Sequence, residues 1–541
     1  MSFIAYLVLA VYTIALLYIT VYCLMQFTLL YHYQRAIRNQ PDETKQQYKR
    51  IEEGQTTQRT KNKLVGAANG TTLPVAVTEE PEEPEAYPFV TVQLPIYNEK
   101  YVIERLIDTV AQFDYPQDRF EIHILDDSTD ETVDITRRKV EEYQAKGYQI
   151  AQIRREVRQG FKAGALRDGM PRARGEFIAI FDADFLPRRD FLRQTIPYFE
   201  NDRVGVVQTR WEHINENYSL ITRLQALQLN VHFTVEQRGR MAGDLLLQFN
   251  GTAGVWRRRT IEDAGGWEAD TLTEDLDLSI RAQLKGWKIR FLEEVGSPAE
   301  LPVEMNSLKS QQFRWMKGGA ETARKMLPTV WRSDLGLGKK IQTTSHLLAS
   351  TVFVFVFLTG VFSVPLLYFL GDLVDMGFDK DIFVYFLSGL FSIIGVYYYG
   401  NVVAPVHREP RGRALLKFIF LFPLFLALSM GLSLHNSVAV IQGWLGKKSA
   451  FVRTPKFNIQ SIKDSFLKNN YVSRQLSWTT IGEGLLALYF FAAVAAGIYL
   501  ENMTFLLFHL LLAFGFGTIF YFSLKHLTFT KPRTFTKPKV S

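Results

Sequence analysis

Hydrophobic and polar positions divide this chain into two kinds of territory. Uncharged apolar stretches on the scale of a membrane-crossing helix, about 20 residues, occur at Phe3–Leu30, Leu347–Leu370, Ile382–Tyr399, Phe418–Leu445, Leu485–Leu500 and Thr504–Leu524. Between the first two the pattern changes. Phe89–Leu94, Phe120–Leu125 and Phe177–Phe181 are short β-rich apolar runs, each separated from the next by helical pattern. Strands alternating with helices predict an α/β domain with a mostly parallel sheet covered on both faces. Ser128 with Glu131 reads as a capping box opening a helix that ends near Gly147.

These patterns set the expected boundaries. Residues 1–34 form a retained anchor, because the first stretch is too long for a signal peptide and lacks a basic start. Residues 35–86 form a polar linker, 87–340 a soluble domain and 341–446 membrane helices. Residues 447–480 make an interfacial region, 481–524 a membrane hairpin and 525–541 a basic tail. Cytoplasmic loops collect Lys and Arg. Arg35 and Arg38 follow the first span, Asp372, Asp375, Asp379 and Asp381 mark an outer loop, and Arg411, Arg413 and Lys417 mark an inner one. Residues 87–340 are therefore expected on the cytoplasmic side of an integral membrane protein. Residues 418–446 are too long for one straight span and short for two. With both flanks inside, they would dip and return near Gly431 and Ser433 as a re-entrant segment; a bent single helix is the alternative.

Composition narrows the classes. The chain has 541 residues and a formal net charge of +7. The basic loops account for the excess, and no nucleic-acid-binding motif accompanies it, so nucleic acid is not an expected partner. The single cysteine, Cys23, excludes a disulfide framework and a cysteine zinc site.

The chemistry lies at the strand ends, where open α/β sheets bind ligands. Pro95–Glu99 ends the first run, Asp126–Asp130 the second and Asp182–Ala183–Asp184 the third. Neither GxGxxG nor GxxxxGK[ST] occurs, against a dinucleotide oxidoreductase and a P-loop ATPase. Two carboxylates two residues apart just past a buried strand suit Mg2+ or Mn2+, which pair one or two carboxylates with substrate phosphates.

The ordered set QLPIYNE (93–99), LDDSTDET (125–132), KAGAL (162–166), FDADF (181–185), FNGTAGVWR (249–257), TEDLDL (273–278) and QQFRW (311–315) resembles the processive family 2 membrane glycosyltransferases. It is similar in particular to the plant cellulose-synthase-like A group, the mannan synthases, and to bacterial relatives. The resemblance implies a GT-A-like nucleotide-sugar-binding domain inserted between transmembrane helices. It also implies inverting transfer of a hexose from a UDP- or GDP-hexose to a growing β-linked glycan of β-glucan or β-mannan type. A membrane lipid of diacylglycerol or ceramide type is the alternative acceptor, and a non-catalytic scaffold or transport subunit is the reading of another class. Accessory export subunits are not defined by the sequence.

Residue by residue, the resemblance places Asn98, Glu99 and Asp127 at the nucleotide base and ribose, with Asp126 the lesser contact, and Lys162 at a phosphate. Asp182 would meet ribose or metal, and Asp184 the metal. Asp275 is the expected general base, with Glu274 second. Gln311, Arg314 and Trp315 would hold diphosphate and acceptor. Phe249–Gly254 would line the donor or acceptor pocket, and Trp211 is either a stacking surface or core. Phe451–Lys456 resembles a gating loop in which Arg453 replaces the usual Val, while Thr454 and Lys456 would reach the nucleotide.

Overall fold

The computed structural model describes residues 2–39, 87–407, 409–449 and 477–528, together with Thr454, Lys456 and Asn458. The polar linker beyond Asn39, Arg453 and the tail beyond Thr528 lie outside the described residues.

Seven strands form one sheet: β1 Val90–Ile96, β2 Phe120–Asp126, β3 Ile150–Arg154, β4 Phe177–Ile180, β5 Val204–His213, β6 Gly254–Arg257 and β7 Lys288–Ala299. Their order is β3-β2-β1-β4-β6-β5-β7. Parallel pairs join β1 to β2 and β4, β2 to β3, and β5 to β7. Only β6 runs antiparallel, between β4 and β5. The mostly parallel α/β sheet expected from the sequence is thus present. All seven residues of β1 and of β2 are buried, as befits strands covered on both faces. Val92, Leu94 and Ile124 pack into the core on one face; Leu125, Ile178 and Ile180 serve the other. β1, β2 and β4 are parallel and in register, so Ile96, Asp126 and the residues after Ile180 leave the sheet along one edge.

The helix after β2 runs Thr132–Ala145, and Ser128 does not cap it. Instead Asp130 Oδ1 accepts the Thr132 N–H, and the Ser128 hydroxyl accepts the Asn98 N–H. The Ser128 hydroxyl thus joins the loop after β2 to the loop after β1.

Among the described residues, six helices are long and apolar enough to cross a membrane: Phe3–Arg38, Ala349–Asp375, Ile382–Val403, Arg411–Gly431, Trp478–Tyr499 and Leu506–Lys525. The fourth begins earlier than the uncharged stretch, since Arg411, Arg413 and Lys417 lie inside it; long basic side chains keep apolar stems against the helix and reach outward. A single residue, Leu432 (φ −79°, ψ −7°), separates it from Ser433–Trp444. Ala414 packs with Ile221 and Leu224 of the soluble domain, and Gly443 lies against Lys317 and Ala320 on the helix Met305–Arg332. Both ends of this bent pair therefore rest on the domain and its last helix.

At the bend, glycines set the approach. A Cβ on Gly431 would strike the Gly515 backbone, and one on Gly515 would strike the Ala427 carbonyl. Overpacked helix contacts typically cost about 1–3 kcal/mol. Gly515→Leu should therefore lower the melting temperature of the detergent-solubilised protein. Gly338→Ala, where an added Cβ meets nothing within 4 Å, should leave it unchanged.

Candidate functional site

A cavity of about 220 Å³ opens beyond the carboxyl ends of β1, β2 and β4. Its wall carries seven carboxylates, Glu99, Asp127, Asp182, Asp184, Glu274, Asp275 and Glu300, against four cationic side chains, Arg158, Lys162, Arg314 and Lys456. His213 adds no charge, because burial and the neighbouring Arg210 push its imidazole down to about 3. Like charges crowded at low dielectric are costly unless cations balance them. The surplus of carboxylates is the main electrostatic fact of the site.

Each acid is placed by a different element. Asp182 follows β4; its N–H donates to the Thr252 hydroxyl, and its carboxylate accepts Lys162 Nζ at 2.5 Å. Lys162 stands on the helix Phe161–Gly169 and also donates to the Gly251 carbonyl at 2.9 Å. Asp184, 5% exposed, accepts Lys456 Nζ at 2.6 Å. That ammonium occupies the position of a cation on Asp184. Hard carboxylate oxygens with a net negative surround are the donor set that Mg2+ or Mn2+ selects, so Asp184 and Asp182 fit the ion the sequence suggests.

Glu274 and Asp275 open the helix Glu274–Leu284. Asp275 Oδ1 accepts the Leu276 N–H, while a Cβ on Gly251 would lie 2.8 Å from Oδ2. The left-handed glycine (φ +80°) is what lets the loop approach this carboxylate. Burial and the adjacent Glu274 charge push the Asp275 carboxyl up to about 7. Burial also raises Glu274, against the pull of Lys162.

Gln311, Arg314 and Trp315 share one face of Met305–Arg332, at the i, i+3 and i+4 spacing of adjacent turns, and all line the cavity. Glu304 caps that helix, accepting the Asn306 and Ser307 N–H groups. Arg314 donates to the Thr454 hydroxyl at 2.8 Å, so Thr454 and Lys456 both enter the cavity.

Three of the expected nucleotide contacts, Asn98, Asp126 and Asp127, are engaged within the protein. Asn98 does not line the cavity. It adopts a left-handed φ of +58°, and its side-chain oxygen accepts the Thr129 N–H, a turn role that fits asparagine. Asp126 is buried on the Ser128 N–H and Gln152. Asp127 does line the cavity, but Arg155 forks onto both its oxygens at 2.9 and 2.5 Å. Glu99 lines it as well.

Other lining residues escaped motif reasoning. Arg158 lies 3.5 Å from the Tyr97 ring centroid, a cation–π contact beside Asp127; its only sequence trace is its place four residues before Lys162. Trp211 packs between Phe185 and Phe233 yet borders the cavity. Its Nε1, like His213 Nε2, is buried and has no hydrogen-bond partner among the described residues. These atoms come from the far end of β5, which no local pattern marks. Glu268, Asp270 and Asp277 form a separate acidic cluster closed by Lys325, at 2.6, 2.9 and 3.0 Å, and do not line the cavity.

Comparison with known proteins gives the following. Residues 88–318 match the family model "Glycosyltransferase like family 2". The chain is 43% identical over 262 residues to glucomannan 4-beta-mannosyltransferase 1 of Oryza sativa subsp. japonica, covering 47% of this chain and 50% of that protein. It is 41% identical over 261 residues to glucomannan 4-beta-mannosyltransferase 7 of Arabidopsis thaliana, covering 47% of each. The chain thus spans about half the length of these relatives. Among solved structures, the mannosyltransferase PcManGT from Pyrobaculum calidifontis, in complex with GDP-Man and Mn2+, aligns with a TM-score of 0.45 and 17% identity over 80% of this chain and 100% of that one. The seven-stranded sheet lies within the segment, residues 88–318, that is similar to the family 2 glycosyltransferases.

Proposed function

We propose that the protein is a membrane-embedded inverting glycosyltransferase that moves a hexose from a nucleoside diphosphate sugar onto a growing β-linked polysaccharide. The names of the relatives favour a β-1,4-mannan or glucomannan product. One observation carries the reading. Through the Gly251 backbone, the raised carboxylate Asp275 and the Lys162–Asp182 pair meet at one point of the cavity wall. A proton acceptor there stands beside a cation, the arrangement an inverting transfer requires.

In this reading the acceptor hydroxyl attacks the anomeric carbon from the face opposite the diphosphate. Asp275 takes its proton, the bond to the leaving oxygen breaks, and the electron pair goes to the diphosphate. Lys162 and Arg314 stabilise that developing charge, Arg314 through forked hydrogen bonds. A divalent cation held by Asp184 and Asp182 would supply further positive charge at the same oxygens. Trp315 and Trp211 offer flat faces to sugar rings, and the indole N–H of Trp211 and the His213 ring nitrogen can meet sugar hydroxyls. Glu99 and Asp127, with Arg158 on Tyr97, take the nucleotide. Lys456 leaves Asp184 for the diphosphate when metal and donor enter. The basic loops favour a cytoplasmic domain and a bent pair at 411–444 that dips into the membrane and returns.

The test is a donor screen with the purified protein reconstituted in lipid vesicles, using labelled GDP-mannose, GDP-glucose and UDP-glucose. A polymer degraded by a linkage-specific hydrolase is expected; a chloroform-soluble single-sugar product would replace the polymer reading by lipid glycosylation. Asp275→Asn should lower turnover by at least about 100-fold while nucleotide affinity stays within about twofold. Because the working form of Asp275 is ionised and its titration lies near 7, the rate should fall as pH drops below 7. Glu274→Gln removes a like charge and should shift the residual activity's limb to lower pH. Asp184→Asn should weaken Mn2+ binding, measured by calorimetry in the presence of GDP, on the order of tenfold or more.

A further inference from the structure

The loop that joins Lys162 to Asp275 is fastened at almost every residue. The Phe249 N–H donates to the Ser279 hydroxyl and the Asn250 N–H to Gln208 Oε1. Gln208 Nε2 holds the Thr252 and Ala253 carbonyls, and the Ala253 N–H reaches Ile180. The side chain of Asn250, which borders the cavity, has a different anchor. Its Oδ1 lies 2.8 Å from His232 Nε2, and His232 Nδ1 lies 2.8 Å from Glu236 Oε2.

His232–Glu236 is a single π-helical turn inserted between the helices Leu220–Val231 and Gln237–Ala242. Such insertions cost helix stability and recur at functional positions. Here the extra residue turns His232 toward the cavity wall while Glu236 stays beneath it.

The hydrogen-bond polarity is informative. An ionised carboxylate only accepts, so Nδ1 carries a proton. Asn250 Nδ2 points to the Gln248 carbonyl at 3.5 Å, which leaves Oδ1 facing the ring. The ring thus bridges the Glu236 carboxylate and the Asn250 side chain through its two nitrogens. Burial would raise the Glu236 carboxyl, but its hydrogen bond to His232, with Coulomb attraction from His232 and Arg240, outweighs burial and holds it below the usual range. Arg240 on the next helix is drawn by Glu236, and Tyr22 and Tyr397 face that carboxylate from two membrane helices. His346 on Leu337–Leu347 is pushed well below its ordinary range by burial and by the charges of Arg240 and His232, so it stays neutral.

We propose that His232, braced by Glu236, is a positioning residue for the acceptor sugar: its ring holds the Asn250 side chain and thereby orients the Asn250–Gly251 wall beside Asp275. The effect falls first on the acceptor, because Asp275 is the group that meets the acceptor hydroxyl, whereas Glu99, Asp127 and Arg158 belong to other elements and Lys162 keeps its own partner in Asp182. This inference rests on the transferase reading above.

The experiment uses the full-length protein with β-1,4-linked mannotetraose as acceptor and GDP with Mn2+ as the nucleotide probe. His232→Phe keeps ring volume without either nitrogen; Glu236→Gln keeps the ring and removes its charge partner. Both should raise the acceptor KM about tenfold or more while GDP affinity stays within about twofold. Asn250→Ala should do the same and add nothing to His232→Phe. An acceptor KM within twofold of the unaltered protein in both variants overturns the proposal, as does an equal loss of GDP affinity and transfer in both. Absence of any transfer by the unaltered protein would instead remove the transferase reading.

Discussion

Negative charge packed at the edge of a buried sheet is the constraint on which the site depends. Asp182 and Asp184 leave β4 within two residues of each other, and Glu274 and Asp275 are adjacent at a helix start. Removing such groups from water without partners would protonate them or unfold the edge. Asp182 and Asp184 are tied to cations from other elements, Lys162 from a helix after β3 and Lys456 from beyond the fourth membrane helix. Glu274 feels the charges of Lys162 and Arg314, and Asp275 accepts the Leu276 N–H at the start of its own helix. Catalytic chemistry and domain assembly are in this sense one electrostatic problem. The balance among the described lining residues still falls on the negative side, and a divalent cation would supply the missing positive charge.

The same arrangement links the cavity to the membrane region. Met305–Arg332 presents Gln311, Arg314 and Trp315 to the cavity and receives Ser433–Trp444 on its other side, where Gly443 permits contact with Lys317 and Ala320. Lys309, one turn from Arg314, makes a buried ion pair with Glu483 on Trp478–Tyr499. A displacement of the membrane helices would thus be felt at the side of the cavity lined by Gln311, Arg314 and Trp315, because packed helices transmit small shifts without absorbing them.

Much of this was legible in the residues. Parallel strands buried on both faces need continuous β-rich runs, so β1, β2 and β4 were recognisable, and their acidic ends followed by chain order. Short or late elements were not. β6 has four residues, and β5 and β7 owe their pairing to long-range register with two shifts. Hydrogen-bond competition was equally hidden. Asn98 carries a motif residue's identity yet serves a turn, and Ser128 holds the neighbouring loop instead of a helix end.

The sequence by itself determined the membrane stretches, the strand–helix alternation and the identity of the acids, since hydropathy period and residue chemistry are local properties. Tertiary structure alone decided which charges neutralise which. Lys456 meets Asp184 across 272 residues, Lys162 and Asp275 meet through the backbone of Gly251, and His232 meets Asn250 through a π-turn. Partner choice of that kind depends on distances of a few ångströms in a low-dielectric cavity, where Coulomb and desolvation energies are large and oppose each other. No local pattern along the chain encodes those distances.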